Sequence, residues 1–142
     1  MNKENQADIF NMLHDGLLSD FVREEQNIKF KVYIPYLASL INSSFNTFSV
    51  TLINCSAIDA DVFGNQPNIV SNIHTLSVAE LEILSAKEMN DKIEITCAST
   101  ELGQGFGAIL AISTEDIIIF DEEGLNVSET KLEELCRNYW NG

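Results

Sequence analysis

The stretch Leu81–Cys97, LEILSAKEMNDKIEITC, decides how this chain folds. Leu81 and Ile83 alternate with Glu80 and Glu82, and Ile93, Ile95 and Cys97 repeat at the same period of two. Such alternation is that of strands with one face buried and one wet. Between them, Lys87–Asp91 is polar and short, so Ala79–Ser85 and Lys92–Ser99 are predicted to form an antiparallel hairpin. A parallel pair would need a crossover of a dozen or more residues, and none fits here.

The same period extends in both directions. Downstream, Gly107–Ser113 and Asp116–Phe120 read as strands, the second (DIIIF) apolar on both faces. It is either a central strand or an edge used for association. Upstream, Ile69–Leu76 reads as a strand, and Phe48, Val50 and Leu52 share one face of another. Phe30, Val32 and Ile34 alternate with Lys29, Lys31 and Tyr33, and pair with Leu18–Glu24 through a turn at Glu25-Gln26-Asn27. Gly64, Asn65, Pro67 and Asn68 make DVFGNQPN a loop. Two segments depart from this period. Residues 5–14 carry Ile9, Phe10 and Leu13 at helical spacing, with Asn2 or Asn5 as cap. Near the C-terminus, Leu132, Leu135, Cys136 and Tyr139 form one apolar stripe. Ser128 caps that helix, Val127 staples to Leu132, and Trp140 is expected to close the packing. The predicted fold is α+β. Seven to eight antiparallel strands form a strongly bent sheet or small open barrel. A short N-terminal helix precedes it, and a C-terminal amphipathic helix packs on it. A pleckstrin-homology-like layout is the variant.

With 142 residues, 45% of them hydrophobic, residues 1–142 form a single globular domain large enough to need no disulfide or metal staple. Eight Lys+Arg face 22 Asp+Glu, a net charge of −14 that falls as −2, −5 and −7 over residues 1–50, 51–100 and 101–142. Such a field repels phosphates and anionic headgroups, which argues against nucleic-acid and membrane partners and attracts basic proteins. Cys55, Cys97 and Cys136 form no C-x-x-C pair, so reduced buried thiols are expected, and no metal or cofactor. MNKENQADIF lacks the pattern of a secretory signal, and no apolar run reaches the length of a membrane span. A cytoplasmic location is expected.

Three motifs invite chemistry. His14-Asp15 resembles the paired ligands of the HD phosphohydrolases, but that family is all-helical and needs further ligands. The only other histidine is His74, in a predicted strand. A helix ending at His14, with Gly16 in the left-handed position after it, accounts for HDG structurally; if the helix ends earlier, HDG is the turn that feeds the first strand, with Gly16 again supplying the backbone freedom. GQGFG (103–107) has the spacing G-x-G-x-G and precedes a strand, so it reads as a hairpin loop with Phe106 exposed at its tip. DEEG (121–124) lacks the alternating ligands of a calcium loop. With Glu129, Glu133 and Glu134 it instead makes an acidic patch: Asp121, Glu122, Glu123, Glu129, Glu133, Glu134 and, as apolar neighbour, Phe106.

Taken together, HDGLLSDF, LEILSAKEMNDKIEITC and ETKLEELCRNYW resemble small acidic bacterial proteins of the immunity type, which neutralise toxin partners. The resemblance implies a non-catalytic protein that binds a basic protein through an acidic face. The alternative is a small-molecule-binding domain or minor hydrolase, with a cavity between sheet and C-terminal helix lined by His14, Asp15 and His74. A third expectation is a homodimer joined through Asp116–Phe120.

Overall fold

The computed structural model describes residues 1–64, 68–101 and 107–141. At its centre is the hairpin of β6 (Leu81–Met89) and β7 (Lys92–Ala98), paired from Glu82↔Ala98 to Met89↔Lys92. Its turn is tighter than Lys87–Asp91. Asn90 and Asp91 alone make it, with φ of 51° and 64°, a left-handed pair that these residue types tolerate and a two-residue hairpin needs. Beside β7 lies β8 (Gly107–Ser113), then β4 (Ala57–Val62) and β5 (Ile69–Val70). On the other side of β6 follow β1 (Leu17–Glu24), β2 (Asn27–Tyr33), β3 (Thr47–Ile53) and β9 (Asp116–Phe120). All nine form one open antiparallel sheet in the order β5-β4-β8-β7-β6-β1-β2-β3-β9.

The fold class is as expected, but the strand count is higher. The additional strand is β4, whose inward residues Ile58, Ala60 and Val62 alternate with acidic Asp59 and Asp61. Ile69–Leu76 is not a strand beyond Val70. The Asn72 side chain accepts from His74 N (2.8 Å) and Thr75 N (3.3 Å), capping a short helix α3 (Ile73–Ser77).

The sheet curls because the same two chain segments pair at both ends of it. β3 meets β9 up to Ile53↔Asp116, and β4 meets β8 from Ala57↔Ser113. Residues 54–56 and 114–115 make the corner between them. Asn54 takes φ 49°, Glu115 N donates to Ile53 O (2.9 Å), and Ser56 N donates to Ser113 O (2.9 Å). One long ribbon, bent at this corner, therefore folds the ends of the sheet toward each other around the core.

Opposite the corner the sheet is almost split. β1 and β6 pair only at Leu17↔Glu82 and Leu18↔Leu81. Beyond that, side chains replace the missing strand: Asn11 Nδ2 donates to Ala86 O (2.9 Å) and Ala86 N donates to Asn11 Oδ1 (2.7 Å). On the β1 side, Phe21 N donates to Ser77 Oγ (2.8 Å) of α3. Asn11→Ala is expected to cost about 1 kcal/mol, since it removes a reciprocal pair at an exposed site. Faster exchange of the Ala86 amide, with other β6 amides unchanged, is the measurement that checks it.

Helix α1 (Lys3–Met12) is capped by Asn2, whose side chain accepts from Asn5 N (2.7 Å). Its Ile9 and Phe10, followed by Leu13, are buried against β6 and β7. Gln6, fully buried, donates from Nε2 to Thr114 O (3.0 Å) and so holds α1 to the corner. The C-terminal helix α4 (Glu129–Asn141) begins as expected, with Lys131 N donating to Ser128 Oγ (3.1 Å) and with Val127 and Leu132 both buried. Its docking differs from expectation. α4 packs chiefly on α1 and on α2 (Pro35–Ala38), and the helix lying on the sheet is α1. Its stripe also ends early, because Leu132 and Leu135 are buried whereas Tyr139 and Trp140 are 41% and 60% exposed. Trp140 does not close the packing.

The turn after α1 also corrects an expectation. The left-handed residue is Asp15 (φ 72°), not Gly16. Asp15 N donates to Ile83 O (2.8 Å) and Gly16 O accepts from Ile83 N (2.9 Å), so HDG feeds straight into the sheet. Strand β9 is an edge, as one of the two readings of DIIIF had it. Its outer side is partly occupied: Val127 N donates to Ile119 O (2.7 Å) and Phe120 bridges Asn126. Those are backbone positions that a second copy would need. No helix among the described residues is long and apolar enough to cross a membrane.

Candidate functional site

Of the predicted site residues, Asp121, Glu122 and His74 line one depression and His14 and Glu133 a second, separate one. The larger, about 910 Å³, lies over the outer face of β2, β3 and β9. Its floor carries Lys29, Lys31, Ser49 and Thr51, set side by side by the register Lys29↔Thr51 and Lys31↔Ser49. One wall is α3, which presents His74 and Ser77. The other is the turn Asp121–Gly124, whose Gly124 takes φ 83°. The two lysines are already matched, Lys29 to Glu24 (3.0 Å) and Lys31 to Asp20 (3.8 Å). Among the described residues no carboxylate lies within ion-pair or hydrogen-bonding distance of the exposed His74 ring.

Two members of the predicted acidic patch are committed to local structure here. Asp121 is buried, and its Oδ1 accepts from Glu123 N (2.9 Å) and Leu125 N (3.0 Å), closing the turn. Glu122 Oε2 accepts from Asn46 N and from Thr47 N (3.0 Å) at the start of β3. Those backbone donors hold its carboxyl below the usual range, with a smaller contribution from Lys31. Because the folded form favours ionised Glu122, the stability it adds is present above the ordinary value of 4.5 and is lost as pH falls through the lower, folded one. Glu122→Gln is therefore expected to lower the melting temperature at neutral pH. Its curve should converge on the wild-type curve in acid, and a gap that persists there would refute the assignment.

The second depression, about 400 Å³, lies between the end of α1 and α4, with Asp8, Asn11, Met12, His14, Glu133, Cys136 and Trp140 around it. His14 stacks on Trp140, with ring centroids 5.7 Å apart and planes 14° from parallel. His14 Nδ1 lies 2.8 Å from Asn11 O, and since a carbonyl only accepts, the proton is on Nδ1. Tyr36 of α2 donates its hydroxyl to His14 O (2.8 Å), and its ring lies 4.5 Å from Tyr139. Tyr139 in turn meets Trp140 edge to face at 4.9 Å. Burial, then the nearby Asp15 carboxylate, push the Tyr36 hydroxyl up to about 12, so it stays protonated and keeps donating. Four rings from three parts of the chain thus brace one another at the surface.

Acidic groups crowd this face. Burial raises the Glu129 carboxyl above its usual range, and repulsion from Glu133 and Asp8 adds to it. Asp15 Oδ2 lies 3.9 Å from His14 Nε2, and Glu134 pairs with Lys131 at 3.8 Å. Among the described residues no three His, Cys, Asp or Glu side chains are placed to hold a metal ion. Burial pushes the Cys97 thiol up to about 12 and raises Cys55 and Cys136 too, which is the environment of unreactive thiols.

The alternative trio is not assembled, since His14, with Asp15 beside it, stands at the second depression and His74 at the first. Space between sheet and C-terminal helix is taken up by α1. Phe106 lies outside the described residues. No family model, curated protein or solved structure matches the chain. Its chemistry has to be read from its own surface. Sequence reasoning named His14, Glu129 and Glu133 but missed Asp8, Tyr36, Tyr139 and Trp140. One signal was available: the only tryptophan of the chain sits one residue past the apolar stripe.

Proposed function

We propose that this chain is a non-enzymatic binding protein, an immunity-type inhibitor of a basic protein, which docks on the face around His14, Tyr36, Tyr139 and Trp140. The observation that carries this reading is the exposed Tyr139–Trp140 pair, 41% and 60% accessible, next to Asp15 and Glu133. Aromatic anchors dominate binding energy at protein interfaces, and rings already braced by neighbours lose little freedom when covered. The acidic rim and the net charge of −14 favour a basic partner and speed its encounter. Of the predicted patch, Glu129, Glu133 and Glu134 lie on the helix that presents this face, whereas Asp121 closes its own turn and Glu122 binds the backbone at the start of β3.

A second reading, a small-molecule site in the 910 Å³ cleft, is supported by its size and by His74 and Ser77 on one wall.

The test compares tagged wild type with Trp140→Ala in the native cell at low salt. The expected result is a basic protein retained by the wild type, with affinity for the purified variant at least tenfold weaker, about 1.4 kcal/mol. Identical retention by both forms overturns the reading.

A further inference from the structure

We infer that the depression between α1 and α4 is a pocket for a guanidinium group, filled by one arginine side chain stacked against Trp140 and held by the carboxylates of Asp8 and Glu133. This deepens, and rests on, the reading of that face as a binding surface.

Three observations converge on it. The first is charge. Asp8 comes from α1 and Glu133 from α4, and both border the depression. Glu129 feels the repulsion of both, so the local negative potential is not neutralised by the chain itself. Neither cation of α4 is ion-paired with these carboxylates: Lys131 is engaged with Glu134, and Arg137 makes no ion pair among the described residues.

The second is shape and surface. A volume of about 400 Å³ exceeds what one metal ion needs, and among the described residues no three His, Cys, Asp or Glu side chains are placed to hold one. The remaining walls include Met12, Cys136 and Trp140, apolar groups that suit the methylenes of a long side chain.

The third is the indole. Trp140 stacks on His14 and stands perpendicular to Tyr139, and with 60% of the residue exposed the indole is open to a planar cation. Tryptophan is the best aromatic partner for such a cation, and arginine uses it more often than lysine. Guanidinium also offers a fork of donors that can meet carboxylates on two different helices at once, whereas an ammonium is a compact point charge.

Because Trp140 is the only tryptophan, its emission reports occupancy directly. The probe is N-acetyl-arginine amide, titrated into the full chain at low salt. The expected result is a saturable emission change with a dissociation constant of about 1 mM. The lysine amide should bind several-fold more weakly, and the norleucine amide should leave the emission unchanged. Asp8→Asn combined with Glu133→Gln should weaken arginine at least tenfold, with an unchanged circular dichroism spectrum. No saturable change with the arginine amide, or unaltered binding by the double variant, overturns the pocket. If arginine fails to bind while Trp140→Ala still abolishes partner retention, the docking face stands and the pocket falls. If arginine binds and no partner depends on Trp140, the pocket stands and the protein-inhibitor reading falls.

Discussion

Phe30→Ala is expected to destabilise the fold by about 3–5 kcal/mol, the range for deleting a buried aromatic ring. Phe30 is 1% exposed, and its ring lies between two others, 4.9 Å from Phe21 and 6.3 Å from Phe10. Phe10 belongs to α1, Phe21 to the irregular part of β1, and Phe30 itself is paired with Val50 of β3. One side chain therefore ties the covering helix to both neighbouring strands. Truncation leaves a void with walls from three elements that cannot all move inward. In a domain of this size the loss corresponds to a melting point lower by roughly 10 °C or more. Urea unfolding of Phe30→Ala beside Phe30→Leu checks the account. Leucine should recover more than half of the loss, and an alanine variant within 1 kcal/mol of wild type would contradict it.

Gly16→Val is expected to cost about 3 kcal/mol, through overpacking and not through backbone strain. A Cβ at Gly16 would overlap the Val32 Cγ1 methyl and stand 2.9 Å from Leu13 O. Neither neighbour has room to yield. Leu13 O accepts from Gly16 N (3.0 Å), and Gly16 O is held by Ile83 N, so the backbone is pinned on both sides. The glycine of HDG is there because β2 passes immediately behind it. In a double-mutant cycle, Gly16→Ala and Val32→Ala should couple favourably by 0.5 kcal/mol or more, since the second removes the methyl that the first meets. Strict additivity of the two losses would show that the contact is not what excludes a side chain.

Why some elements could be read from the chain and others could not follows from where their determinants lie. The β6–β7 hairpin and the β1–β2 pair announce themselves because β2 and β7 carry their own alternation of large apolar and polar residues, and a short polar turn joins each to its neighbour. β4 carries the same alternation, but with Ala60 at its centre and two aspartates between the inward residues, the apolar signal is diluted. Ile69–Leu76 misleads for the opposite reason: its residues favour a strand, and one capping contact from Asn72 turns it into a helix. The apolar stripe of α4 was readable, but which surface receives it was not, because α1 reaches the sheet first. The aromatic face is hidden for a related reason. Positions 14, 36, 139 and 140 are neighbours only once α1, α2 and α4 have docked.

The bent ribbon has a consequence for how the chain is made. Residues 49–62 and 108–120 pair with each other on both sides of the corner, yet β5, α3 and the β6–β7 hairpin lie between them in sequence. During synthesis β3 finds β2 at once and β4 meets the short β5, while the other edges of β3 and β4 wait unpaired until residues 107–120 have left the ribosome. Contacts so distant in sequence form late, after the cost of closing a long loop has been met. Until then the growing chain exposes open strand edges rich in apolar residues, the form in which sheets join the wrong neighbour. The acidic residues interspersed along β4, at Asp59 and Asp61, stand where like-charge repulsion would keep two such nascent chains apart.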